Sequence, residues 1–312
     1  MIRLRALLAL ALVVLAGACN RHGGAATSQP RIVEVRVIDH SEGAADGERG
    51  AGALPGPADT EALAARVARR LTDEKLLPVA LGAAPMARVD YRLAVDVRQL
   101  RMSSDGGPVL RAFVTARLLR VGGDPSEPPI TSEAVADRAA KEGAPLDAAA
   151  CRAHLEHAVD DVVGVLVGLA RVHFGGLPEL LSALDASDDD VAAEAIRVAA
   201  LRKEKVAVPR LISMLKGDDA RRRDRALGAL VEIGDPRAVK PITELARFQD
   251  VSELPKVIDA LGALGGSQSR AYLEFVVSAH DDSEMRQLAQ AALARLERHV
   301  GDGEPEQHAA QK

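Results

Sequence analysis

Hydrophobic positions recur along this chain with two different periods, and the switch between them divides it. Up to about residue 140 the main period is two. Val33, Val35 and Val37 lie on one face of a strand predicted over Arg31–Asp39. Over Arg88–Leu100 the alternation is clearer: Val89, Tyr91, Leu93, Val95 and Val97 face one way, and Arg88, Asp90, Arg92, Asp96 and Arg98 the other. A strand with one wet face suits an antiparallel sheet. A turn at Ser103–Pro108, a long strand over Val109–Val121 and a shorter one over Ile130–Arg138 follow. Two stretches break this rhythm. Leu63, Val67 and Leu71, spaced by fours, predict a helix over Asp59–Leu77 with Arg66, Arg69 and Arg70 off its apolar stripe. Asp147–Phe174 carries Cys151, Leu155, Val159, Val162, Leu166, Leu169 and His173 along one stripe. The order β-α-β-β-β-α predicts a two-layer α+β domain over 31–174, both helices covering one face of the sheet.

From Gly175 the period is helical and the pattern itself repeats. Ala226–Leu245 reads ALGALVEIGDPRAVKPITEL: Gly234 closes one helix, Asp235 caps the next, and Pro236 stands where a missing N–H does no harm. Ala260-Leu-Gly-Ala-Leu264 repeats Ala226-Leu-Gly-Ala-Leu230 at an offset of 34, Ala292-Leu293 follows 32 later, and Ala195-Ile196 precedes by 31. Four helix pairs are predicted over 175–300: Pro178–Asp185 with Val191–Lys203, Val208–Lys216 with Arg221–Ile233, Ala238–Phe248 with Leu254–Leu264, and Arg270–Ala279 with Glu284–Arg298. A fixed period of helix pairs predicts an all-α solenoid, in which each unit buries its apolar face on its neighbours.

The Gly-Asp-Pro-Arg-Ala run at 234–238, set in this period, resembles the HEAT family, in the short-repeat form known from phycobilin lyases. Only the second unit has the run intact. The third ends Gly265-Gly266, and units of about 32 residues are shorter than the ~40–47 of HEAT repeats at large. The resemblance implies a binding scaffold and carries no lyase chemistry. It also implies that the second helix of each pair lines the concave side, which makes Arg225, Glu232, Lys256, Asp259 and Arg286 the candidate partner contacts. The order of elements over Arg31–Phe174 is similar, in topology alone, to small envelope lipoproteins that assist lipopolysaccharide assembly or lipid transport.

The N-terminus adds an address. Arg3 and Arg5, the apolar run Ala6–Leu15 and Ala16-Gly17-Ala18 before Cys19 form a signal peptide over 1–18. The junction resembles the lipobox of bacterial lipoproteins, with Cys19 as the acylated residue, although Ala16 takes the place of the usual Leu. Ala-Gly-Ala also serves the ordinary signal peptidase, so a soluble periplasmic or secreted protein is the alternative. Asn20 in place of Asp favours the outer membrane, facing the periplasm. Residues 19–30 read as a tether, 301–312 as a disordered tail, and the Gly/Ala/Pro-rich stretch to Pro57 as a loop whose glycines miss dinucleotide-binding spacing. Charge points the same way as export. The chain of 312 residues has a net charge of −5, and removing a leader with two arginines and no acids makes it more acidic. A phosphate backbone wants a concentrated basic face, so nucleic acid is excluded as partner. With no Trp, two Tyr and four Phe, stacking platforms are excluded too.

Candidate chemistry is sparse. Cys151, His154 and His157 share one helical segment, with Asp161 a turn further on, which is the spacing of a transition-metal site. Cys151 falls on the apolar stripe, so the reading adopted is a buried thiol beside two surface histidines, with no metal or other cofactor. The repeat turns are acidic each time, at Asp188-Asp189-Asp190, Asp218-Asp219, Asp250 and Asp281-Asp282. Capping explains one acid per turn. The surplus makes Asp189, Asp219, Asp250 and Asp282 a candidate acidic edge. Arg221, Arg222, Arg223 and Arg225 open a helix against its dipole, which predicts contact with the neighbouring acidic turns. No nucleophile elbow, HExxH or phosphate loop is present. The expectation is an exported, lipid-anchored, non-enzymatic scaffold that binds another cell-envelope protein through its repeats. A lipid or small-ligand carrier using the α+β domain is the alternative, and a metalloprotein or enzyme the second.

Overall fold

The structure, a computed structural model, describes residues 31–41, 58–74, 90–104, 107–124, 126–140, 146–250 and 252–301. The leader, Cys19, the tether, most of the Gly-rich loop, Arg88, Val89 and the tail beyond Gly301 lie outside them. The chain divides into two compact units, Met1–Phe174 and Gly175–Lys312.

In the first unit β1 (Arg31–Asp39) is followed by α1 (Thr60–Asp73), β2 (Asp90–Ser104), β3 (Gly107–Arg120), β4 (Ile130–Ala139) and α2 (Ala148–Phe174). The sheet order is β1-β2-β3-β4. β2, β3 and β4 pair antiparallel, as their alternation predicts, but β1 and β2 are parallel. That corrects the expectation of a wholly antiparallel sheet. The connection between β1 and β2 carries a helix, and a crossover of that length returns the chain to the end at which β1 began. The β2–β3 hairpin is also tighter than expected, for Ser103 and Ser104 belong to the strand and Ser104 stands opposite Gly107.

One face of the sheet is dry. Leu93, Val95, Val97, Ala112, Val114, Ala116 and Leu118 pack with Leu63, Val67 and Leu71 of α1 and with Leu155, Val159, Val162 and Leu166 of α2 in a single core. The two helices are also tied to each other, Arg66 to Asp160 and Arg171 to Glu74, each at 2.6 Å. In β1 a register shift between Ile32 and Glu34 buries both Ile32 and Val33, so strict alternation fails there. On α2 the stripe ends at Val172, and His173 is only half-buried.

The second unit consists of α3 (Leu177–Leu184), α4 (Asp189–Leu201), α5 (Val208–Met214), α6 (Ala220–Ile233), a 3-10 turn at Pro236–Ala238, α7 (Val239–Thr243), α8 (Leu254–Leu264), α9 (Gly266–Ala279) and α10 (Ser283–Gly301). The second helices stack in order, α4 on α6, α6 on α8 and α8 on α10, and each also packs on the first helix of its own pair. The repeated alanines Ala195, Ala226, Ala260 and Ala292 are all buried. α7 is much shorter than predicted. The chain leaves the helix after Thr243, and Phe248 packs 4.9 Å from the rings of both Phe275 and His280. No helix among the described residues is long and apolar enough to cross a membrane.

Each of the first three units turns at a left-handed residue, and these fall 31 apart: Lys203 (φ 51°), Gly234 (φ 71°) and Gly265 (φ 77°). Lysine in this conformation bears a cost of about 1 kcal/mol that glycine avoids.

The two glycines of the repeated Ala-Leu-Gly-Ala-Leu motif have different surroundings. A Cβ on Gly262 would stand 2.9 Å from the Cβ of Ala292 on α10, whereas one on Gly228 meets nothing within 4 Å. Gly262→Ala should therefore destabilise the arm by about 1–3 kcal/mol through overpacking. Gly228→Ala should stabilise it by about 0.5–1 kcal/mol through helix propensity. Thermal unfolding of the two variants reads this opposition directly.

Candidate functional site

The acidic turns are first of all helix starts. Asp188 accepts from the N–H groups of Asp190 and Val191, Asp219 from those of Arg221 and Arg222, and Asp282 from those of Glu284 and Met285. Asp250 accepts from the N–H groups of Ser252 and Glu253 and from the Ser252 hydroxyl. Two members of the candidate acidic edge, Asp219 and Asp282, are thus capping groups, and Asp250 holds the turn just before α8. The Arg222 amide holds the Asp219 carboxyl below the usual carboxylate range, and the Ser252 hydroxyl does the same for Asp250. Asp189 instead pairs with Arg222 of the next unit at 3.0 Å, the contact predicted for the basic run. Arg223 donates to the Gly217 carbonyl at 2.7 Å.

That pair is one of a series linking each unit to the one before. Arg210 on α5 donates to the Leu181 carbonyl and pairs with Asp185 at 3.3 Å. Arg222 reaches the Ala186 carbonyl as well. Arg237 donates to the Lys205 carbonyl at 2.9 Å, and Arg295 on α10 to Asp259 on α8 at 2.8 Å. His280 accepts from the Asp282 N–H through Nδ1, so Nε2 carries the proton that it donates to the Phe248 carbonyl at 2.8 Å. None of these links is visible in composition. The signal that finds them is the period itself, since the partners lie 25 to 36 residues apart.

The Gly-Asp-Pro-Arg run is the most developed of the joints. Gly234 closes α6 with its N–H on the Leu230 carbonyl at 3.1 Å. Asp235, 5% exposed, caps the 3-10 turn through the Arg237 N–H and clamps the Arg237 guanidinium by two bonds of 2.9 and 2.7 Å. The clamped guanidinium then reaches back to Lys205. That ion pair, with the amide bond, holds the Asp235 carboxyl at about 2.

The candidate partner contacts fall into two groups. Arg225, Glu232, Lys256 and Asp259 are exposed on α6 and α8. Lys256 pairs with Glu253, the residue before its own helix, at 3.2 Å, and Asp259 with Arg295. Arg286 is half-buried and donates to the carbonyls of His280 and Asp281 at 2.6 and 2.8 Å, so its charge is committed to the α9–α10 turn.

In the first unit the Cys151, His154 and His157 group is dispersed. Cys151 is buried against Leu110 and Leu146, and burial pushes its thiol up. His154 is not the surface residue that its polar type suggested. It is 6% exposed and bonds through Nε2 to the Ala136 carbonyl of β4 at 3.1 Å, and burial lowers its pKa. His157 is exposed, 3.5 Å from Asp161. Among the described residues no three His, Cys, Asp or Glu side chains are gathered as a metal site would need.

Residues 177–256 match a family model described as HEAT repeats. No curated protein matches the chain. The match covers the first two helix pairs and the start of the third, and it contains the Gly-Asp-Pro-Arg run. Residues 177–256 are thus similar to HEAT repeats, a kind of repeat generally used as a scaffold for protein interaction, and the stacking of helix pairs continues through α10 beyond the match.

The Asp235 clamp gives a signed pH dependence. The carboxylate is the capping form, so its contribution is complete above the ordinary 3.8 and is lost as pH falls toward about 2. Asp235→Asn keeps an acceptor for the Arg237 N–H but loses the charge that holds the Arg237 guanidinium, and should cost about 1 kcal/mol at neutral pH. It should also flatten the acid limb of a stability-against-pH curve measured by denaturant unfolding.

Proposed function

We propose that this protein is exported, anchored by lipid on Cys19 to the outer membrane facing the periplasm, and serves there as a non-enzymatic scaffold. Its HEAT-like arm binds another cell-envelope protein through the outward faces of α6 and α8. The observation that carries this reading is the row of exposed charges of both signs on stacked second helices, Arg225 and Glu232 on α6 beside Lys256 and Asp259 on α8. A stack held by buried alanines and inter-unit arginines is rigid enough to present such a row to a protein, and mixed charge favours orientation of a partner over capture of a polyanion. The export step is supported by the apolar leader and the Ala-Gly-Ala-Cys junction at 16–19.

Crosslinking in intact source cells, followed by purification and mass spectrometry, tests the scaffold. A single envelope protein linked through 178–298 is expected, and the double reversal of Arg225→Glu with Glu232→Arg should cut its recovery at least tenfold. Links confined to 31–174, or copurified lipid without protein, would transfer the work to the α+β unit. Leu230→Asp is the unfolding control: Leu230 is fully buried, and a carboxylate there should cost several kcal/mol. The mass of the mature N-terminus tests the anchor separately. An acylated Cys19, lost in Cys19→Ser, is expected, and an unmodified one would leave a soluble periplasmic or secreted protein.

A further inference from the structure

The sheet of the first unit has two edges with different protection. β1 is bent by the register shift at Ile32–Glu34 and has α1 packed beside it. β4 is the last strand of the four, ten residues long, without proline and in unbroken register with β3 from Ile130 to Ala139. The Ala140 N–H donates to the Pro108 carbonyl at 3.0 Å, which makes Pro108 and Ala140 a bonded pair. Bonded and non-bonded pairs alternate along an antiparallel ladder, so Leu110–Arg138 and Ala112–Ala136 are bonded, whereas Phe113–Val135 and Thr115–Glu133 are not. The N–H and C=O groups of Thr131, Glu133, Val135, Asp137 and Ala139 therefore point to the open edge. Among the described residues nothing pairs with them.

The side chains of these five residues share the face of the sheet opposite the helices. Much of that face is closed by cross-strand ion pairs, including Glu34 with Arg92, Asp96 with Arg117, and Arg111 with Asp137. One row without such a pair runs through Val135. Arg98 on β2 stands opposite Phe113, Phe113 opposite Val135, and there the row stops with Val135 59% exposed. Glu133 and Asp137 flank it on the same strand.

We propose that the outer edge of β4 takes up an extended segment of another protein as a fifth strand. The incoming segment carries an apolar residue opposite Val135 and basic residues opposite Glu133 and Asp137. Main-chain bonds to the open edge supply affinity, and Val135 with Glu133 supplies most of the selectivity, since Asp137 shares its charge with Arg111. A second copy of this chain is the poorer occupant, because in full antiparallel overlap Glu133 of one copy meets Asp137 of the other. This edge belongs to the α+β unit, so the proposal stands or falls independently of the partner of the arm.

The probe is a fluorescent nonapeptide, Thr-Thr-Lys-Thr-Val-Thr-Lys-Thr-Thr, which presents the same alternation in either strand direction. It is titrated onto the full purified chain by anisotropy, beside a control with both lysines replaced by glutamate. Saturable binding is expected, at least tenfold weaker for the glutamate peptide and for the Glu133→Lys protein. Val135→Pro should abolish it while leaving the β3–β4 ladder intact, since the N–H it removes faces the open edge. Hydrogen exchange should slow at the amides of 131, 133, 135, 137 and 139 on addition of the peptide. Equal binding of both peptides, or none, overturns the proposal. So do amides already protected without peptide, which would mean that this chain covers its own edge, and a dimer by light scattering that Val135→Pro dissociates.

Discussion

Close approach of successive second helices is the constraint on which the repeat unit depends. Ala195, Ala226, Ala260 and Ala292, on α4, α6, α8 and α10, are all buried, and Gly262 against Ala292 leaves no room for a methyl group. Small residues there let backbones stand near one another, so that Leu211, Leu230, Ile242, Leu261 and Leu273 from both layers can be fully buried. No helix pair has enough apolar surface to do this alone, which is why stability in such an array is a matter of neighbours. A chain with four Phe and no Trp has little alternative, because aliphatic side chains gain their packing energy only at short range.

Polar groups set the register of that packing. The turns and helix ends supply carbonyls that an arginine or histidine from the following unit takes up, as Arg210, Arg222, Arg237 and His280 do. The acids of the same turns satisfy the N–H groups of the next helix. One short segment thus ends a helix, starts another and marks the distance to the neighbouring unit. Asp235 combines these tasks, and its strongly held carboxylate reflects how many donors converge on it.

The first unit reverses the balance. Its sheet carries one dry face under two helices and one face closed by ion pairs across strands. Two of its polar residues under the helices are held by backbone rather than left reactive: Gln99 donates to the Cys151 carbonyl at 3.0 Å, and His154 bonds to Ala136. A helix position is judged buried or exposed by residue type when only the sequence is available, and that is why His154 is misplaced by its polarity. The cavity of a hydrogen-bonded histidine looks, in one dimension, like a gap in an apolar stripe.

Periodicity alone determined most of the architecture. The alternation of β2 and β3, the stripes of α1 and α2 and the 31-to-34-residue recurrence of Ala-Leu and Ala-Ile fix element type and which face is dry, because both periods are properties of the local backbone. Capping was equally legible, since Asp at a helix start acts within three residues. What only the tertiary structure decided involves partners far apart in the chain. The parallel pairing of β1 with β2, the packing of Phe248 on Phe275 and His280 past the early end of α7, and the bond of Arg295 to Asp259 arise from contacts that no local pattern encodes. The same holds for the open edge of β4. A strand's alternation states which way its side chains point, but whether another strand lies beside it depends on where the rest of the chain goes.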